Sequence, residues 1–227
     1  MKYAGMPFGM WVLFSGSFQK QLTAVLGYDA ATARAITKKA KPQYRQIIAG
    51  LPEFEKADRF KMNLVNCAMV GAFILSMPQR PEVDRLTDYY ARSMMTKPMQ
   101  WFCRKSGKSK FTPKDIAAMK ATAALLHIPG FYRLVPGVFV KSTRSVFGPA
   151  AGFVPKELQT GNGVWRVDMM KCPYHDTCTE YGCPELCRSF CDSDDISYTG
   201  LHPKLIWERS MTLGRGNDRC DFCMKVR

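Results

Sequence analysis

The chain has no stretch near the roughly 18–20 consecutive apolar residues that a membrane-spanning helix needs. Its best run, Ala68 to Met77, is too short and reads as the middle of a buried helix. The brief apolar run from Phe8 to Phe14 is not followed by a clear signal-peptide cleavage site. Both absences point to a cytoplasmic protein without membrane contact, in a compartment that keeps thiols reduced. The nine cysteines are then expected as thiols or ligands rather than a disulfide framework, and their odd number agrees. Histidine is scarce, with three in the chain. Zinc-finger spacing, an RNA-binding aromatic motif, a heptad basic region and internal repeats are all missing, so no nucleic-acid partner is expected.

What is present begins with charge. Thirty-three basic residues face nineteen acidic ones, a net charge of +14. From Lys171 onward eight basic and nine acidic residues nearly cancel. The excess therefore lies upstream, in Lys38-Lys39-Ala40-Lys41 and in Arg104-Lys105-Ser106-Gly107-Lys108-Ser109-Lys110. Such a surface attracts nucleic acid, anionic lipid or small anionic substrates, although solvated helix faces and loops account for it most simply. With 46% hydrophobic residues in 227, the chain can bury the core of one large domain or two small ones.

Periodicity predicts helices over the first 130 residues. Asp29 is placed to cap a helix through Thr32, Ala35 and Ile36, with Pro42 kinking or splitting it before Gly50. Pro52 opens a second, whose stripe is Phe54, Ala57, Phe60, Leu64, Ala68, Met69, Ala72 and Phe73. A third starts near Pro81 with Val83, Leu86, Tyr90 and Met94 on one side. Thr112-Pro113-Lys114-Asp115 resembles a capping box for an Ala-rich helix that stops at His127. Residues 131–163 are dense in glycine and proline and read as a connector. Beyond them the period drops to two, in Val164–Met170, Leu205–Leu213 and Cys220–Val226, with Gly214–Asp218 as a turn. The expected fold is α+β: a mainly helical N-terminal part (1–130), packed on a small C-terminal antiparallel sheet with a Cys-rich helix (164–227).

Five cysteines and a histidine fall within residues 172–191, followed by Asp192, Asp194 and Asp195. A helix from Cys183, with Pro184 in its first turn, puts Cys183, Cys187, Phe190, Cys191 and Asp194 on one face at about 3.6 residues per turn. That face either lines a pocket or buries its cysteines as small apolar side chains. Arg209 is the one charge in the row Leu205, Trp207, Arg209, Met211, Leu213. It must find a carboxylate, either Asp194 or Glu185 or that of a substrate, which a guanidinium grips with two parallel hydrogen bonds. Cys172, His175, Cys178, Cys220 and Cys223 supply enough ligands for zinc or iron, although alternation puts Cys220 and Cys223 on opposite faces. His175 is a candidate proton carrier; His202 reads as a turn residue, and His127 as a helix-end residue near the dipole's negative pole.

Several stretches carry a resemblance. Met1-Lys2-Tyr3-Ala4-Gly5-Met6-Pro7, Ala35-Ile36-Thr37-Lys38-Lys39-Ala40-Lys41-Pro42 and Gly50-Leu51-Pro52-Glu53-Phe54-Glu55 form its helical lead. The C-terminal pattern is Cys172, Pro184-Glu185-Leu186, Phe190-Cys191, Asp194, Arg209 and Cys220-Asp221. Together, across nearly the whole chain, they resemble the L-2-amino-thiazoline-4-carboxylic acid hydrolase family. The resemblance implies hydrolysis of a small carboxylated cyclic amidine, opened to N-carbamoyl-cysteine. It carries over Cys172, Glu185, Cys191, Asp194, Arg209 and Cys220 as site positions, whereas Cys178, Cys183, Cys187 and Cys223 are extras of this chain. The expected roles are Cys191 as thiolate nucleophile, His175 or Glu185 as proton carrier and Arg209 on the substrate carboxylate, with Cys172 and Cys220 beside the substrate. A rival route has Asp194 or Glu185 activating water. No cofactor is required, zinc or iron being the candidates if one is held, and a homo-oligomer is expected. Two other readings of the same residues are a ligand- or metal-binding sensor and a basic interaction protein.

Overall fold

Asp29 carries the clearest local instruction in the chain. Its carboxylate accepts the backbone N–H groups of Ala31 at 2.8 Å and Thr32 at 2.9 Å, and the Thr32 hydroxyl at 2.6 Å. The first turn of helix α2 (Ala30–Gly50) is thereby satisfied, and helix α1 (Met6–Ala24) precedes it. The computed structural model describes residues 6–53, 61–94, 126 and 128–227. The expected Thr112–Asp115 cap with its Ala-rich helix, the Arg104–Lys110 run, His127, Phe54, Ala57 and Phe60 lie outside the described residues.

By its contacts the chain divides into two units, Met1–Met95 with Pro173–Phe190, and Thr96–Cys172 with Cys191–Arg227. The boundaries thus fall elsewhere than at 130 and 163, and each unit is built from two separate stretches. The first is helical. α2 runs unbroken through Pro42. A missing N–H there does not split the helix, because Ala40, Tyr44 and Ile47 bury their side chains on both sides of it. Helix α3 (Lys61–Leu75) is apolar on every side: Leu64, Val65, Cys67, Ala68, Met69, Val70, Ala72, Phe73 and Ile74 are each at most 2% exposed. A helix of that kind sits in the middle of a core. Phe73 stacks on Trp11 and Phe18 at ring separations of 5.9 and 5.0 Å, and Phe18 meets Tyr89 edge-on at 5.6 Å. Tyr89 belongs to helix α4 (Val83–Ser93), where it and Leu86 turn inward.

The second unit holds a four-stranded, wholly antiparallel sheet of order β1-β2-β4-β3: β1 (Pro155–Gly161), β2 (Val164–Met169), β3 (Leu205–Glu208) and β4 (Cys220–Val226). The presumed connector 131–163 contains helix α5 (Val135–Ser145) and strand β1. Its prolines and glycines stand at the ends of these elements, with Pro136 in the first turn of α5 and Gly161 closing β1. Asn162 and Gly163 have φ of +50° and +76° and make the two-residue turn of the β1–β2 hairpin.

Trp165, Val167 and Met169 of β2 share a face with their cross-strand partners Met224, Phe222 and Cys220. α5 contributes to the core on this face: Phe139 packs against Trp165, whose indole N–H donates to the Thr143 hydroxyl at 2.9 Å. β3 is shorter than the alternation of Leu205–Leu213 suggests. The Asp221 carboxylate accepts the N–H groups of Ser210 at 2.9 Å and Met211 at 2.6 Å, a side-chain hydrogen bond in place of a longer ladder. The chain from 209 to 219 instead forms a loop with a short 3₁₀ turn at Leu213–Arg215. Helices α6 (Pro173–Glu180) and α7 (Glu185–Tyr198) complete the structure, giving seven α-helices among the described residues. α7 begins in the first unit and ends in the second. The α+β class follows directly from these elements.

Candidate active site

Cys191 lies on α7 and Cys220 opens β4, and the tertiary fold of the second unit makes neighbours of them. Their thiols hydrogen-bond. This contact, with burial next, pushes the Cys220 thiol far above its ordinary value; the Leu213 N–H, donating to Cys220 Sγ at 3.2 Å, acts in the opposite sense. Cys172 adds to the upward push, so all three cysteines of the sequence pattern belong to one electrostatic group. Cys220 is 3% exposed, whereas Cys172 and Cys191 are half-buried. The group thus has one sealed thiol and two that reach its surface.

Arg209 stands beside them with a side chain 1% exposed. Its Nη2 donates to the Cys191 carbonyl at 2.6 Å and pairs with Asp195 Oδ2, also at 2.6 Å. Asp194 Oδ2 is 3.7 Å from Nη1. The guanidinium lies 5.8 and 5.3 Å from the ring centroids of Trp207 and Phe222, within reach of a cation–π attraction. Burial works against its charge, but the hydrogen bond and charge of Asp195, with Asp194, more than offset that and keep it firmly protonated. Nε and Nη1 are buried and have no hydrogen-bond acceptor among the described residues. Arg209 therefore has Asp195 on Nη2, Asp194 at ion-pair range of Nη1, and a buried Nε without an acceptor among the described residues.

Asp192 and Asp195 were noted in the sequence beside the cysteine cluster but given no role, and Arg215 was read only as part of a turn. Asp195 also accepts the Trp207 indole N–H at 2.9 Å, and Arg215 pairs with Asp192 at 2.7 Å and lies 3.7 Å from Asp195. A run of three aspartates in four positions in the second half of α7, followed by two loop arginines, was the available signal. Asp221 stiffens the same loop. Burial raises its pKa, but the Ser210 hydroxyl and the amides of Met211 and Ser210 prevail and hold it below the ordinary carboxylate value.

The other expected site residues are placed as follows. Glu185 belongs to the first unit and pairs with Arg80 at 3.0 Å. His175, also in the first unit, is half-buried on α6 with Nδ1 3.9 Å from Asp176 Oδ1. Cys178 is buried there with its sulfur 3.7 Å from that of Cys67, and Cys183 hydrogen-bonds to it. Cys183, which precedes α7 rather than starting it, and Cys187 on α7 are 2% and 1% exposed, so these two cysteines are core. Cys223 pairs in register with Arg166 and Glu208, on the sheet face opposite Cys220. Burial pushes its thiol up. The proposed metal ligands are thus divided between the two units, and no group of three or more His, Cys, Asp or Glu arranged to hold a metal ion occurs among the described residues. The eight described cysteines are in no disulfide. An open hollow of about 310 Å³ lies elsewhere, on α1 and α2 of the first unit, lined by Lys20, Thr23, Ala33 and Arg34 among others.

A thiol group beside a fixed, buried cation can support nucleophilic attack and stabilise developing negative charge. A family model described as L-2-amino-thiazoline-4-carboxylic acid hydrolase matches residues 82–224. That range holds every cysteine, aspartate and arginine of the group just described, while the N-terminal stretches that contributed to the resemblance precede it. No curated protein matches the chain.

Proposed function

The chain belongs to the L-2-amino-thiazoline-4-carboxylic acid hydrolase family, and from that premise we propose that it is a hydrolase opening a small carboxylated cyclic amidine, with 2-amino-thiazoline-4-carboxylate as the type substrate. The observation that carries this reading is the Cys191–Cys220 thiol pair beside Arg209, whose Nε and Nη1 have no hydrogen-bond acceptor among the described residues. A guanidinium with donors still unmet suits a carboxylate, which Nε or Nη1 can each hold through a single charge-assisted hydrogen bond.

Because Cys220 holds its proton strongly, Cys191 is the sulfur that acts as thiolate, with the Cys220 S–H as hydrogen-bond donor to it. Its sulfur adds to C2 of the ring to give a tetrahedral adduct. The C2–S bond of the ring then breaks, and the departing sulfur takes the proton that the Cys191 thiol had given up to Asp194, directly or through a water that Asp194 holds. This leaves an isothiourea joined to Cys191. Water adds to the same carbon, the bond to Cys191 breaks, and the urea carbonyl of the N-carbamoyl product forms as the thiolate is regenerated. Within the second unit the proton carrier is thus Asp194, and the Cys220 S–H stays in place as a hydrogen-bond donor.

The test is turnover of 2-amino-thiazoline-4-carboxylate, followed by the appearance of a free thiol, with the unaltered protein and with Cys191→Ala. The expected loss in kcat is at least about a thousandfold, since a covalent route cannot proceed without its nucleophile. Near-normal turnover by Cys191→Ala would move the chemistry to water activated by Asp194. If the ring only raises the melting temperature and is never consumed, the protein is a binding protein and the hydrolase reading fails.

A further inference from the structure

The first half of helix α1, Met6–Phe14, is apolar all round, yet one side is uncovered. Met10, Phe18 and Leu22 are buried, while Phe8, Val12 and Leu13 are 75%, 60% and 73% exposed. Gly9 and Gly16, on the same outer side, have no neighbouring atom in reach. Isolated exposed apolar residues are ordinary, but three large ones on adjoining turns of one helix form a patch that water solvates poorly.

The neighbouring helix supplies the second observation. α1 and α2 run antiparallel, because the Tyr44 hydroxyl donates to the Pro7 carbonyl at 2.8 Å, while Lys20 and Arg34 flank one hollow at the other end. Phe8, Val12 and Leu13 therefore stand level with the stretch Lys38–Arg45. On α2, Arg34, Lys38, Lys39, Lys41 and Arg45 are all exposed, and neither helix contains an acidic residue. The intervening Asp29 is committed to capping α2. The inward residues of both helices pack in the core with α3, so both exposed faces are on the outside of the hairpin.

We propose that the outer face of the α1–α2 hairpin docks on an anionic lipid bilayer, with Phe8, Val12 and Leu13 entering the headgroup boundary and the lysines of α2 meeting the acidic headgroups. Charge complementarity selects this occupant. A second copy of the chain would bring the same row of cations face to face, and a nucleic acid offers no medium for three exposed aliphatic and aromatic side chains. A bilayer interface accepts both components at once. Docking on the surface requires no spanning helix, and no helix among the described residues is long and apolar enough to cross a membrane.

The experiment is co-sedimentation of the full chain with phosphatidylcholine vesicles and with mixed phosphatidylcholine–phosphatidylglycerol vesicles, at low and high salt. Three proteins are compared: unaltered, Phe8→Ser with Leu13→Ser, and Lys38→Glu with Lys39→Glu and Lys41→Glu. The unaltered protein is expected to bind the anionic vesicles and to lose binding in high salt. The lysine variant is expected to bind about a hundredfold more weakly, at about fivefold for each basic residue near an anionic surface. The apolar variant is expected to lose about tenfold or more. Failure of the unaltered protein to bind anionic vesicles overturns the proposal. So does undiminished binding by the apolar variant, which would reduce the contact to nonspecific attraction of a polycation. A concentration-dependent dimer abolished by Phe8→Ser with Leu13→Ser would assign the face to a second copy instead. All substitutions are on exposed positions, and circular dichroism checks the fold of each variant; should one variant not fold, the other decides.

Discussion

Cys220 keeps its proton through a hydrogen bond with the Cys191 thiol and through burial, and this asymmetry gives each sulfur a distinct task. Removing the donor should make Cys191 harder to ionise. In Cys220→Ala, the rate of alkylation at Cys191 is therefore expected to rise at a higher pH than in the unaltered protein, read by mass spectrometry of the modified peptide. An unshifted profile would separate the two thiols. Asp221 allows a second prediction. Its pKa is held below the ordinary carboxylate value, so its contribution to stability is full above that value and disappears as pH falls through the lower folded value. Asp221→Ala also strips acceptors from Ser210 and Met211. It should cost about 1–3 kcal/mol at neutral pH by denaturant titration. The gap to the unaltered protein should narrow in strong acid, where the carboxylate of the unaltered protein is also neutral.

At the scale of elements, the β1–β2 hairpin depends on a turn that most residues resist. Gly163 has φ of +76°, and a Cβ there would meet Val226 Cβ and Cγ2 at 3.4 Å. Gly163→Ala is expected to destabilise the protein by about 1–2 kcal/mol, the cost of a left-handed conformation for a residue with a side chain. A melting temperature unchanged from the parent would show that the turn can rearrange. Asn162-Gly163 is a strong hairpin signal from which β1 could have been read, although the segment was expected to be a connector. The density of glycine and proline in 131–163 concealed both β1 and α5, because punctuation between short elements has the same composition as a long loop. Pro42 is the opposite case. A local rule suggests a break, and burial of Ala40, Tyr44 and Ile47 overrides it.

For the whole molecule, the net charge of +14 is itself a source of strain. Like charges distributed over the surface repel, and salt screens them over roughly 8 Å at physiological ionic strength. Raising salt from a few millimolar to that level is therefore expected to increase the melting temperature by a few degrees, measured by differential scanning fluorimetry. A melting temperature that falls instead would mean that attractive pairs, such as Arg209–Asp195 and Arg215–Asp192, outweigh the repulsion.

The amino-acid order by itself determined the class of fold, the capped start of α2, the apolar spine of α3, strand β2 and the family. Each of these depends on neighbours within a few turns or on a linear pattern. It also determined that Cys220 and Cys223 face opposite ways, since alternation in a strand is local. Only the tertiary structure decided that Cys191 meets Cys220, that Arg209 takes Asp195 for its closest partner, and that Cys183 and Cys187 are core. The physical reason is that these outcomes depend on how α7, the 209–219 loop and β4 come together in space, and residues distant in the chain carry no local mark of which partner they will meet.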